Sequence, residues 1–389
     1  MRYLFTTIPG TSYMLPLVPL AHAALAAGHE VLVVTGGPAL RIANEAGLQT
    51  VAVDADAAEP YEELVRRATE SPMTEEAPSP ELVSYVASVF GEVGARMLDR
   101  LVDTAKAWGA DAVVHPANHV GGLLAARAAG LPAVLHGIGT PRATFGPALG
   151  YLAPVAERLG VTGLREADIS VDLCPPSLEP PHPRAELAHT LPMRYTPYNG
   201  GTELPTWLLR PAGRPRVAVT LGSLAGVYGD GALLREIVLG TAELDVELVV
   251  TTGGAELPAL ESLPHDHVRL VDWVPLNALL STCEGIIHHG GMGTTYAAFD
   301  AGVPQLVIPL TGPESAANGR VAAARGAGTV LGTSGSAAVT AATVGSAVGD
   351  LLNDPAYRKA SREVSLEMRG MPTPSSVIGR LTALIEDMA

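Results

Sequence analysis

Residues 286–299 read IIHHGGMGTTYAAF. An apolar pair runs into His288 and His289, then Gly290, Gly291 and Gly293 fall within four residues, followed by Thr294 and Thr295. This spacing suits an anion. The first-turn N–H groups of a helix have no internal partners and lie at its positive end. Glycines let the backbone approach an anion closely. The threonines add hydroxyl donors, and His289 adds a ring nitrogen, so a diphosphate fits. No Gly-Lys-Ser/Thr follows, so the run is not a P-loop. Adjacent histidines on a strand point apart and Cys283 has no paired ligand nearby, so no zinc site is expected. The plainer alternative is a tight strand-to-helix turn with surface histidines.

Other chemistry-bearing residues lie at strand ends. Trp273-Val274-Pro275-Leu276 precedes the glycine run. An aromatic there can stack on a planar base while a neighbour's backbone bonds the base edge; a core tryptophan is the alternative. Leu221-Gly222-Ser223 ends the strand RVAVT, where amides and the Ser223 hydroxyl could face a ligand. In the first half, Ser12 and Tyr13 sit in the loop after the first strand. His115 and His119 (in HPANH) and His136 (in LHGIG) end later strands.

The elements that must position these groups alternate. Arg2–Thr7, His29–Thr35, Thr50–Val53, Asp111–His115 and Ala133–His136 read as strands, with helices between them, such as Leu17–Ala27 stopped by Gly28. Such βαβα order predicts a parallel sheet with helices on both faces. The charged, proline-marked segment 60–80 reads as a mobile loop over one face, and 81–108 as a helix. Asp172–Pro183 holds five prolines in twelve residues and breaks the pattern. The inter-domain connection is expected around 199–214. Strands then resume at Arg216–Thr220, Val246–Thr251, Val268–Val271, Gly285–His288 and Gln305–Ile308, before a last helix over 375–388. The fold class expected is α/β, with two Rossmann-like doubly wound domains: residues 1–205, and 206–374 with the terminal helix 375–389 assigned to the first.

Composition bounds the partners. The chain has 389 residues, 47% hydrophobic and 17% charged, which is ample for two cores. A net charge of −15 argues against nucleic acid or an anionic membrane as partner. Two cysteines, Cys174 and Cys283, give no disulfide framework. The N-terminus lacks a signal-peptide pattern and no apolar stretch is long enough to span a bilayer, so a soluble cytoplasmic protein is expected, without stable membrane insertion. A homodimer stays open.

WVPL, followed by HHGGMGTTYAAFDAGVPQLVIPL, resembles the donor-site signature of GT-B glycosyltransferases of the antibiotic macrolide and polyketide type. AALAAGHEVLVVT, VDLCPPSLEP and MRYTPYNG are similar to that family's first helix–strand unit and linker, so the resemblance covers nearly the whole chain. It implies two domains facing across a cleft and a metal-independent, inverting transfer with no cofactor. The donor would be a TDP- or UDP-sugar and the acceptor a hydrophobic aglycone or glycoside. It further implies that Trp273 flanks the base and Val274 bonds it through its backbone. His289, Gly291, Gly293 and Thr294 would hold the diphosphate, Ser223 would contact the phosphate or base side, and His288 would be structural.

Two departures from the family's pattern stand out. Inverting transfer needs a base for the acceptor proton. Where many members have a histidine, this chain has Tyr13 beside Ser12, and tyrosine is a poor base at its usual pKa near 10. Three readings follow: His115, His119 or His136 substitutes; the acceptor is acidic enough to need little help; or the chain is a non-catalytic auxiliary of the same pathway. The intact donor loop favours an enzyme over that auxiliary; the polyketide-type linker and the AAGHEV unit argue against an epimerase, and the lack of Gly-x-Gly-x-x-Gly after the first strand with an acid about 20 residues on argues against a dehydrogenase. The second departure is the sugar site. The family's Asp-Gln pair is replaced at Pro313-Glu314 or at Glu314-Ser315, depending on the direction of counting. Fewer polar partners fit a deoxysugar, because unpaired buried polar groups are costly. Met14, Leu15, Phe90 and Met97 are expected to line a greasy acceptor cleft.

Overall fold

Short runs rich in Val, Leu, Ile and Ala build the strands; burial of the central ones on both faces suits parallel pairing under helices, while the edge strands are partly exposed. In the computed structural model the first strands are β1 (Arg2–Thr6), β2 (Glu30–Thr35), β3 (Gln49–Ala52), β4 (Ala112–His115), β5 (Ala133–His136), β6 (Ile169–Asp172) and β7 (His189–Pro192). They form one sheet in the order β3-β2-β1-β4-β5-β6-β7. The second sheet contains β8 (Arg216–Thr220), β9 (Glu247–Thr251), β10 (Val268–Val271), β11 (Gly285–His288), β12 (Gln305–Val307) and β13 (Gly328–Val330). Its order is β10-β9-β8-β11-β12-β13. Both sheets are parallel throughout. Each is Rossmann-like and doubly wound, and each reverses its winding between a first and a fourth strand: β1/β4 and β8/β11. That reversal opens a crevice at the strands' carboxyl ends. The structure describes the whole chain except residues 71–78, 141–144, 163, 165, 180–186, 188, 223–230, 255–265, 311–312, 333–338 and 389.

The terminal helix Pro374–Glu386 crosses to the first sheet's side of the molecule. Its Val377, Ile378, Leu381 and Ile385 are buried in a cluster shared with Tyr3, Leu20 and Ala24. Thr382 donates to the Ile378 carbonyl and accepts from the Tyr3 hydroxyl at 2.8 Å. Residues 193–205 connect the two sheets without regular structure and are tied at several points. Met193 N–H donates to Asp172 O, Arg194 N–H donates to Pro372 O, and the Tyr195 ring packs on Tyr296.

Two expectations are corrected. The first half of the expected loop 60–80 is helical, since Glu59–Glu70 is a helix, and another helix begins at Pro80, capped by Ser79; residues 71–78 lie outside the described residues. Glu63 pairs with Arg66 and Arg67 at helical spacing, and acidic residues occupy the first turn, so its charges support a helix. Met14, Phe90 and Met97 are core residues, not cleft lining, and Leu15 packs on the core half-buried. The helices Gly146–Arg158, Ala341–Asn353 and Pro355–Gly370 were not read from the sequence. Among the described residues no helix is long and apolar enough to cross a membrane.

Candidate active site

β11 delivers the chain to the carboxyl edge of the second sheet, and Gly290 turns it into the helix Met292–Ala301. Gly290 adopts φ +86°. A β-carbon there would lie 2.5 Å from the Ser315 carbonyl oxygen, so only glycine permits both the turn and the approach. A buried network fixes this turn. Gly290 N–H donates to His288 Nδ1 at 3.1 Å. His288 therefore carries its proton on Nε2 and donates it to Gln305 Oε1 at 2.9 Å. The Gln305 amide bonds the Thr295 carbonyl, and the Asn318 amide donates to Gly290 O at 2.8 Å. Burial lowers the His288 pKa to about 3, with a further lowering by neighbouring His289, so it stays neutral as this pattern requires. Both nitrogens of His288 are thus spent on the fold.

His289 points the other way. Its ring lies between two glycines: a β-carbon on Gly222 would come within 2.5 Å of Cε1, and one on Gly291 within 2.3 Å of Nε2. Its Nδ1 is buried and makes no hydrogen bond of good geometry, with the Thr220 backbone beside the ring. Burial lowers its pKa to about 4, offset only in part by the nearby Thr220 backbone, so the ring is neutral near pH 7. The ring is clamped beside the first turn of the helix, whose amides face outward. Gly291 is the N-cap residue, Gly293 is exposed and Thr294 is half-buried. Thr295 differs from expectation: it is buried and its hydroxyl donates to Gly291 O, so it stiffens the turn and offers no donor to a ligand.

Trp273 follows β10 and is 56% exposed, which rules out the core alternative. Val274 behind it is buried. From the end of β10 to the end of β11 is three strand spacings, about 14 Å. An exposed indole therefore stands at one end of this edge and His289 at the other. Glu314 is exposed in the first turn of the helix Pro313–Ala324. Ser315 is buried, with its backbone against Gly290. A second helix N-terminus thus adjoins the glycine turn. Ser223 lies outside the described residues.

After β1, Ser12 is exposed and Tyr13 half-buried in a one-turn helix, Thr11–Met14, where a loop was expected, with the Tyr13 ring edge-on to Tyr61. His115, His119 and His136 are fully buried. His115 Nδ1 bonds its neighbour Pro116 O, and His119 Nε2 bonds the Thr6 hydroxyl. Neither nitrogen of His136 forms a hydrogen bond. Burial holds all three neutral, with pKa lowered to about 4, about 3 and about 4 respectively. The loop after β5 meets the donor edge directly, because a β-carbon on Gly139 would strike Met292 Sδ, and Thr140 Oγ1 lies 3.7 Å from that sulfur. Gln305 and Asn318 were legible only as strand and landmark residues. Gly222 was flagged only for its amide, and Tyr195 and Met292 had no sequence signal of their own.

Two parallel Rossmann-like units, with an anion-suited helix N-terminus and an exposed indole along one sheet edge, define a GT-B glycosyltransferase. The comparisons with known proteins agree. The chain belongs to the erythromycin biosynthesis protein CIII-like family, whose N-terminal domain model matches residues 22–222 and whose C-terminal domain model matches 235–384. It is 37% identical to the elloramycin glycosyltransferase ElmGT of Streptomyces olivaceus, over 98% of this chain and 97% of that protein. The crystal structure of the glycosyltransferase SnogD from Streptomyces nogalater superposes with a TM-score of 0.80 at 37% identity, over 99% of each chain. SsfS6 from Streptomyces sp. SF2575, solved with thymidine diphosphate, gives a TM-score of 0.79 at 28% identity, over 98% of this chain and 99% of that one.

Proposed function

We propose that this glycosyltransferase moves a deoxysugar from a TDP-sugar, with inversion, to a hydrophobic polyketide or aromatic acceptor. The observation that carries the donor side is His289, its ring held between Gly222 and Gly291 beside the first turn of the helix Met292–Ala301. The helix amides and this imidazole would meet the diphosphate charge without a metal ion. SsfS6, with its thymidine diphosphate, supports thymine over other bases. Glu314, the exposed acid at the neighbouring helix start, would accept from a sugar hydroxyl. On the acceptor side, the enclosed and neutral His115 and His136 leave Ser12 and Tyr13 as the groups nearest solvent. A phenolic or similarly acidic acceptor would need little help in losing its proton. A cytoplasmic enzyme fits this use of nucleotide-sugar donors.

Calorimetric titration with TDP, UDP, ADP and NAD tests the donor side. Micromolar TDP, weaker UDP and no NAD binding are expected. Preference for UDP-glucose over TDP-deoxyhexoses in competition would overturn the deoxysugar assignment. TDP binding without turnover on any phenolic or macrolide acceptor, under conditions where ElmGT is active, would instead favour an auxiliary role.

A further inference from the structure

Tyr195 belongs to the connection between the sheets, yet its hydroxyl donates to the carbonyl of Gly293 at 3.2 Å, in the first turn of the donor helix. It is 5% exposed. Burial raises its pKa, with Asp300 adding to the rise, so the hydroxyl keeps its proton at any working pH. Its ring packs on Tyr296 one turn along, with centroids 5.5 Å apart. The preceding residue, Arg194, pairs with Asp300 near the end of the same helix at 3.5 Å. The linker therefore lies along this helix from its first turn to its last. At its other side it is bonded to Asp172 at the end of β6 and to Pro372 before the terminal helix.

The Gly293 carbonyl shares one peptide unit with the Thr294 N–H. A donor on the oxygen polarises that unit and makes its N–H a stronger donor in turn. Thr294 N–H is one of the first-turn amides with no partner inside the helix.

We propose that Tyr195 is a positioning residue for the diphosphate: from the linker it orients and polarises the Gly293–Thr294 peptide, and so couples donor affinity to the relative setting of the two domains. This rests on the donor-site reading above. At 3.2 Å the bond is long for a hydroxyl donor, so a small rotation of the linker tightens or breaks it. Met292, the preceding residue, makes a second contact to the first half, at Gly139 and Thr140. The first turn is thus gripped from the first domain's side at two adjacent residues.

The experiment is calorimetric titration of TDP and of thymidine into the wild type, Tyr195→Phe and Tyr198→Phe, with thermal midpoints for each. Phenylalanine keeps the ring packing and removes only the hydroxyl. Tyr198 is a linker tyrosine whose ring meets His22, away from the helix. TDP affinity is expected to fall about three- to tenfold in Tyr195→Phe. Thymidine affinity, the thermal midpoint and the Tyr198→Phe variant should match the wild type. Equal TDP binding by Tyr195→Phe and wild type would overturn the proposal and leave the donor site standing. Equal losses for TDP and thymidine, or a matching loss in Tyr198→Phe, would overturn it in favour of a general effect on the linker. Absence of TDP binding by the wild type would overturn the donor-site reading and this inference together.

Discussion

Gly222→Ala isolates the clamp on His289. Gly222 has φ +79°, and an added β-carbon would sit 2.5 Å from His289 Cε1 and 2.9 Å from Nε2. Holding a β-carbon in left-handed backbone costs about 1–2 kcal/mol. An ordinary carbon contact is about 3.5 Å or more, so the imidazole must retreat by about 1 Å. Displacement on that scale weakens or breaks a hydrogen bond to the charged diphosphate, worth about 1.5–3 kcal/mol, or roughly 10–100-fold in affinity. The expected result is a TDP affinity lower by about 10–100-fold and a thermal midpoint lower by about 2–8 °C. Calorimetry with TDP reads the first and thermal unfolding the second. The mechanism makes a sharper demand on the double variant. In Gly222→Ala/His289→Ala the steric conflict is gone and only the backbone cost remains. The double variant should therefore bind TDP as weakly as His289→Ala alone, and its midpoint should fall by less than the sum of the two single losses. TDP binding by Gly222→Ala within twofold of the wild type, or strictly additive losses, would refute the clamp.

Other expectations follow from the same geometry. Trp273→Ala should weaken TDP by about 1–3 kcal/mol, the range for base stacking on an aromatic, and barely move the thermal midpoint, because the indole is exposed; an unchanged affinity would remove it from the site. Gln305→Leu leaves the His288 Nε2–H buried without its acceptor and should cost about 1–3 kcal/mol in unfolding measurements. The five buried or clamped histidines 115, 119, 136, 288 and 289 have folded pKa values of about 3 to 4, below the usual value near 6.5. The unfolded chain therefore binds more protons between those values, and stability, fully present above about pH 6.5, should fall as the pH drops towards 4. His136→Leu, which removes two unpartnered nitrogens, should flatten that fall; a midpoint independent of pH from 7 to 5 would contradict it. Turnover in EDTA should equal turnover without it, and loss restored by a divalent ion would replace the metal-independent reading. If His115 or His136 is the base, its replacement by Ala should slow transfer by about 10²–10⁴-fold; loss confined to Tyr13→Phe would assign that part to the tyrosine.

The sequence by itself determined the class of the fold, because buried parallel strands need continuous apolar runs and their crossovers need helices, and both are local patterns. Gly285–His288 and RVAVT were readable for that reason, as was the glycine turn into Met292–Ala301. The sequence also picked His289 over His288, by resemblance to a family. What local pattern could not reach was anything decided by contact at long separation. Glu59–Glu70 looked like a loop because prolines and charges dominated the segment; its i,i+3 and i,i+4 charge spacing was legible and went unused, while the contact of Arg96 with Glu59 was not legible. Met14 and Met97 looked like pocket residues because an apolar side chain carries no label for which surface it will meet. Only the tertiary structure turned His288 inward onto Gln305, wrapped His289 in Gly222 and Gly291, and laid Tyr195 of the linker on Gly293. The contacts of His288 with Gln305, His289 with Gly222 and Tyr195 with Gly293 join residues 17 to 98 positions apart, and the sequence records no such neighbours.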